Sequence, residues 1–506
     1  MRKKTARLRS GMRCIAALCG FMLLLSGCTE RTQLKTVIIP ESEEVAQAEA
    51  SGAGGDYGEI KKIYRNAIGG LLNLDKKSLG SQSFNDAIRI LGWNDENSIQ
   101  VASWSFDGNN DVTVYEVDYR YNFYSKLVEL KGVQSRDRIA TSPDGEYIAY
   151  TEIQDESQTQ ILHLVNTRSG LDRELLVGPV WWQDPILTWS GNGRYLALVY
   201  DGVSQTYGTF QMLMVYDTQT QQFRGYPMEG WYSKSGKHQD LVATPCNEGD
   251  YVALWVYGTQ SAFINLENYV ALTFESGKLT GDMIYERYIQ SATAALTDEQ
   301  MLKEYAEMYG LEAGEVTDAN GAQTDKVLDK IAEEMLKGQM VISFNDYQKG
   351  FRAESVAWAS GHRALVTFGE ELYCWNPGQD ILGEFTQWTS AGSSTLSDIV
   401  AGCISQDGDV LFYAKSNGNL YVLPLEDGAQ EPSQQPVLVY SGFDCDNSAT
   451  SWNPGANKLL TCGYDRVKSY GDVEQKYLII EFGDAQAATQ EDDLLEGVQP
   501  SASTAP

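Results

Sequence analysis

Seven acidic residues recur in this 506-residue chain at matching places in a repeated pattern: Asp86, Asp137, Asp184, Asp240, Glu354, Asp398 and Asp446. Each stands seven to nine residues ahead of a turn, the turns falling at residues 95, 144, 192, 248, 361, 407 and 454. Carboxylates gathered at one place repel one another, which favours a bound cation, a basic ligand or raised pKa values. Two of them at a working separation would also suffice as acid and base for cleaving a glycan. The local alternative is that each side chain hydrogen-bonds backbone where its strand begins. Arg136, Arg138, Trp181, Trp182, His238 and Phe351 with Arg352 lie beside these acids. Arg and aromatic residues are the usual anchors of an interface, so together with the acids they are the candidate ligand face.

Other chemical templates fail. No Gly-x-Ser-x-Gly occurs, so a hydrolase nucleophile elbow is absent. The stretch Gly230 to His238 comes near a phosphate-binding loop, but five residues separate Gly230 from Gly236 where four are needed, and His238 stands where Ser or Thr should hold magnesium. The only three histidines, His163, His238 and His362, fall on different repeats, which supplies His-based metal or Ser-His chemistry poorly. Asp107, Asn109 and Asp111 have the spacing of a calcium loop, but Val112 takes the place of its glycine, and a hairpin turn is the reading. No catalytic residue, metal ligand or cofactor is therefore expected.

The elements that would position the acids repeat with a period of about 50 residues. Ile139 to Tyr150, around Ser142-Pro143-Asp144-Gly145, matches Ile186 to Leu198, around Ser190-Gly191-Asn192-Gly193. Both read strand, tight turn, strand. Copies recur at Leu241–Leu254, Val356–Val366 and Ile399–Phe412, with looser ones at Ile90–Val101 and Ala449–Leu460. Further strands follow the turns, for example Val112–Tyr119 and Met212–Tyr216, giving four short antiparallel strands per repeat. The expected fold is all-β, a seven-bladed β-propeller, with six or eight blades as the neighbouring counts. Trp93, Trp104, Trp189, Trp358 and Trp452 are assigned to packing within it.

The run Arg138 to Tyr150 resembles the WD40-like repeat of TolB-type β-propellers. The resemblance extends over roughly residues 83–483 and implies a propeller domain that exposes an acidic residue near each strand entry. The predicted propeller occupies 57–483, with blades near 83–130, 131–178, 179–227, 228–290, 340–390, 391–440 and 441–483. One interval is doubled. It contains a helical stretch, 291–338, with Met301–Met308 and Lys326–Leu336 as the helices of a hairpin inserted between blades four and five.

The N-terminus reads as an address. Residues 1–27 begin with six basic residues and continue with an apolar segment, Cys14 to Leu25, too short to span about 30 Å of hydrocarbon. The sequence Leu25-Ser26-Gly27-Cys28 resembles the lipobox of bacterial lipoproteins, which implies lipidation of Cys28 after removal of 1–27. Residues 28–56 and 484–506, rich in small and acidic residues, are expected to be a disordered tether and tail. The remaining Cys246, Cys374, Cys403, Cys445 and Cys462 are odd in number and lack close pairs, so a disulfide framework or zinc ribbon is unsupported, and Cys246, Cys374, Cys403 and Cys462, within or beside strand-like runs, are expected to be small buried hydrophobes. The net charge of −30 argues against a nucleic-acid partner.

The expectation is a binding or scaffold protein on the extracytoplasmic face of the cell membrane. Its partners would be the bilayer, through Cys28, and an envelope protein, through the acidic face. The alternative is an envelope glycan- or peptide-processing enzyme of glycosidase or lyase type, using two of the face carboxylates.

Overall fold

The computed structural model describes residues 32–33, 60–72, 87–104, 110–135, 138–154, 158–179, 185–204, 208–228, 241–257, 259–275, 277–294, 342, 351–368, 371–375, 386–387, 389–390, 394–395, 398–406, 408–425, 436–466 and 474–483. Their strands form seven sheets of at least four strands, antiparallel but for one added edge strand, and a small two-stranded pair, Thr389–Ser390 with Ser394–Thr395. The innermost strands are Ile88–Trp93, Ala140–Thr141, Thr188–Trp189, Val242–Pro245, Ser355–Trp358, Ile399–Ile404 and Phe443–Trp452. Each touches the next, and the last touches the first. That closed ring makes the protein a seven-bladed β-propeller.

Strand composition follows from burial on both faces. In blade three, Tyr195–Ser204 alternates between two cores: Leu196, Leu198 and Tyr200 face blade two, whereas Tyr195, Ala197 and Val199 face blade four. Side chains alternate across a strand, so a strand packed on both sides must be apolar at nearly every position. Seven such cores exist, one at each blade boundary. Trp93, Trp104, Trp358 and Trp452 are buried in them and Trp189 is half-buried, as expected.

The repeated turn is a hydrogen-bonded unit. In blade two Ser142 Oγ accepts the Tyr147 N–H at 2.9 Å and donates to Asp144 Oδ1 at 2.5 Å. Ser190 does the same with Tyr195 and Asn192 in blade three. Ser405 Oγ accepts the Val410 N–H in blade six, and Asn453 Oδ1 accepts the Lys458 N–H in blade seven. Gly145 sits at φ +72 with Asn94 backbone 2.5 Å from where a Cβ would stand, so blade one can close on this turn only over glycine.

Closure was not foreseen in the sequence. The strand Ile60–Ala67 pairs with Lys476–Phe482, from Ile60 opposite Phe482 to Ala67 opposite Lys476. Blade seven therefore takes its outer strand from the N-terminal side and its other three from the C-terminal side. Arg65 and Lys476 both pair with Asp465 there. Tyr119 of blade one donates to Glu481 at 3.0 Å, tying the closing sheet to its neighbour.

Two details go beyond the expected plan. Within 28–56, Thr32–Gln33 pairs with Tyr124 and Phe123 at the outer edge of blade one, so the tether region touches the propeller there. The insertion leaves from inside blade four, whose third strand, Thr259–Asn265, pairs with Phe351–Ala353 from beyond it. Before the insertion the chain turns back: Leu272–Glu275 adds to blade three, Leu279–Thr280 adds in parallel to blade two, and the helix Gly281–Ala294 packs Ile284 and Tyr288 into the core between those blades. Local pattern cannot tell which sheet a short strand joins. The helices expected at 301–308 and 326–336 lie outside the described residues.

Candidate functional site

Three of the seven acids are described, and they fall on consecutive blades. Glu354 immediately precedes the innermost strand of blade five, Asp398 that of blade six, and Asp446 lies in the first half of that of blade seven. Glu354 donates its N–H to the Thr367 carbonyl at 2.7 Å. Asp398 is exposed at φ +63, and its carbonyl accepts the Ser416 N–H at 2.7 Å. Asp446 is half-buried, and its Oδ2 accepts Gln475 Nε2 at 3.2 Å. Two of these bonds are made by main-chain atoms and the third joins two side chains, so none of them is the side-chain-to-backbone bond of the local alternative. Arg138 is half-buried at the approach to the blade-two strand, its N–H on the Ser135 carbonyl. Arg352 lies in Phe351–Ala353 opposite Gln260, and its side chain is outside the described residues. Cys28, Asp86, Asp137, Asp184, Asp240, Arg136, Trp181, Trp182 and His238 also lie outside them.

The opposite ends of the innermost strands, where the turns lie, hold a cluster the sequence analysis missed. Cys246, Glu248 and Asp250 belong to the blade-four turn and His362 to the blade-five turn, and one ligand atom from each lies within 4.8 Å of the others. His362 Nε2 is 2.8 Å from Asp250 Oδ1 and 3.8 Å from Glu248 Oε2. Cys246 Sγ is 3.2 Å from Asp250 Oδ1 and accepts the N–H groups of Gly249 and Tyr251. Glu248 Oε1 accepts the Gly361 N–H at 3.2 Å. Cys246 is fully buried, and its thiol is pushed up to about 12, by burial first, with the Asp250 carboxylate adding to it against the opposing N–H of Tyr251. Sequence reasoning expected no metal ligands because the histidines sit on separate repeats. Adjacent blades bring separate repeats into contact, and the signal that could have found the cluster is Cys246 in the column held elsewhere by Ser142, Ser190 and Ser405.

Of the other cysteines, Cys462 has the expected burial. Cys462 is buried, Cys403 and Cys445 half-buried, and all three are free thiols raised by burial. Cys374 has its side chain outside the described residues.

His163 is the third charged constellation. It is buried in blade two, with Nδ1 2.9 Å from Asp172 Oδ1, Nε2 2.9 Å from Glu152 Oε2, and its ring stacked on Tyr150 at 4.8 Å. Burial works against its charge, but the hydrogen bonds and charges of Asp172 and Glu152 outweigh it and raise the imidazole above its ordinary value.

Comparison with known protein families and with curated proteins finds no match. Among solved structures, the chain is similar to an oligogalacturonate lyase from Vibrio parahaemolyticus at 11% identity and a TM-score of 0.40, over 84% of this chain and 98% of that one. It is also similar to the β-propeller domain of the Trilobed protease from Pyrococcus furiosus at 10% identity and a TM-score of 0.36, over 77% and 97%. The C-terminal WD40 domain of Sif2 compares at 13% identity and a TM-score of 0.36, over 78% and 98%. The class of the protein, a seven-bladed propeller, is read from its own closed ring of sheets.

Proposed function

We propose that the protein is a lipid-anchored, extracytoplasmic β-propeller that binds an envelope protein through the face where its innermost strands begin. The observation that carries this reading is that Glu354 and Asp398 stand immediately before, and Asp446 in the first half of, the innermost strands of three consecutive blades. Acids repeated near one end of the innermost strands of a radial fold give one face one sign of charge, which suits a basic patch on a partner. The lipobox-like Leu25-Ser26-Gly27-Cys28 supports the anchor, with residues 29–59 separating Cys28 from the closing strand.

Chemical cross-linking in intact envelopes, followed by purification, tests the reading on wild type and on a Glu354→Gln, Asp398→Asn, Asp446→Asn variant. A defined protein recovered with wild type and lost from the variant is the expected result. Equal recovery from both, or none from either, sinks the acidic face as a docking surface and turns attention to glycan substrates. Membrane fractionation of Cys28→Ser tests the anchor separately, and the variant should leave the membrane fraction.

A further inference from the structure

We propose that Cys246, Glu248, Asp250 and His362 form a zinc-type metal site that bolts blade four to blade five. The donor set is one sulfur, one imidazole nitrogen and two carboxylates, four ligands from two adjacent turns. Thiolate with imidazole selects a borderline transition ion such as Zn²⁺, whereas calcium and magnesium take oxygen ligands throughout.

The four ligand atoms lie within 4.8 Å of one another, and two of their separations match those of a tetrahedral site. Bond lengths of about 2.0–2.3 Å put neighbouring ligand atoms roughly 3.3–3.7 Å apart. Here Cys246 Sγ to Asp250 Oδ1 is 3.2 Å and His362 Nε2 to Glu248 Oε2 is 3.8 Å. The pair His362 and Asp250, at 2.8 Å, is tighter because a hydrogen bond now joins them, and an ion replacing that proton would part them slightly. Glu248 is held by Gly361 through Oε1, which leaves Oε2 facing His362.

The thiol is not required by the fold of its turn. The bond its sulfur accepts from the Tyr251 N–H does what the hydroxyls of Ser142, Ser190 and Ser405 do in blades two, three and six. In a metal site the same bond would support a thiolate. His362 is held at φ +63, a conformation that strains a non-glycine residue and that accompanies its reach across the blade boundary to Asp250. Binding would displace the thiol proton to solvent, so affinity should fall with falling pH.

A site here has a structural rationale. Blade four is interrupted between its third and fourth strands by the long insertion, and the cluster ties its turn to the intact neighbour.

The test is cobalt titration of the purified, reduced, metal-stripped full-length protein. A net charge of −30 gathers divalent ions without specificity, so the readout is the sulfur-to-cobalt charge-transfer band in the near ultraviolet. Wild type should develop this band with one equivalent of cobalt and lose it on adding zinc. Cys246→Ser, which keeps the turn's hydrogen bonding, should show wild-type circular dichroism and metal-free Tm but no band. His362→Gln should weaken cobalt binding by at least about tenfold, the scale on which even outer partners of metal ligands act. No band in wild type, a band that survives in Cys246→Ser, or an unchanged affinity in His362→Gln would each overturn the site.

Discussion

Trp358 of blade five donates its indole N–H to the backbone carbonyl of Thr244 in blade four, 2.8 Å away. The same bond crosses two other boundaries, from Trp189 to the Ala140 carbonyl at 3.2 Å and from Trp93 to the Ser451 carbonyl at 3.1 Å. A tryptophan near the end of an innermost strand therefore both fills the interblade core and fastens the preceding blade.

Trp358→Phe keeps the aromatic packing on Phe263, 5.3 Å between centroids, but leaves the Thr244 carbonyl without its donor. A hydrogen bond of this kind contributes about 1 kcal/mol net, so the urea midpoint should fall slightly with an unchanged slope. Trp255→Phe, which removes the bond to Thr244 Oγ1, should cost less, because a hydroxyl can turn to another partner. Equal midpoints for wild type and Trp358→Phe would show that the bond contributes nothing.

His163 makes stability depend on pH. Its folded pKa lies above the unfolded value of about 6.5, so its contribution is fully present below that value and is lost as pH rises through the folded one. The Tm advantage of wild type over His163→Gln should be largest near pH 5 and shrink steadily above neutrality. A difference that stays constant with pH would mean that Asp172 and Glu152 hold a neutral ring.

Deleting the chain through Ala67 should open the ring. Lys476–Phe482 would then be an unpaired edge beside a buried core, and such edges recruit other chains. Light scattering coupled to size exclusion should show oligomers, and the Tm should drop. A monomeric, equally stable truncation would mean that six blades and a three-stranded seventh suffice. Arg65→Ala is the milder form, losing one of two cations on Asp465.

Much of the fold was legible because the turn motif is local. Ser142 to Tyr147 and Ser190 to Tyr195 carry their whole hydrogen-bond pattern within six residues, so the repeat and the blade count could be read from spacing. The closing strand could not, because Ile60–Ala67 alternates weakly and its partner lies more than four hundred residues away. The route of 272–294 around blades two and three was hidden for the same reason, since short strands carry no sign of the sheet they join. The strand-entry acids were legible as a column, but what they touch depends on each blade, as Gln475 on Asp446 shows. The cluster of Cys246 and His362 needed two neighbouring columns to be compared at once, and a motif search along the chain compares only near neighbours.

The clasp of blade seven also makes the order of the blades arbitrary. Ile60 and Phe482 are paired partners, which places their Cα atoms within about 5 Å, close enough for a linker of a few residues. A circular permutant joined there, with new ends opened at the exposed turn around Ser169, would carry the clasp as ordinary hairpin and hold its ring shut by covalent bonds at a seam that now depends on hydrogen bonds.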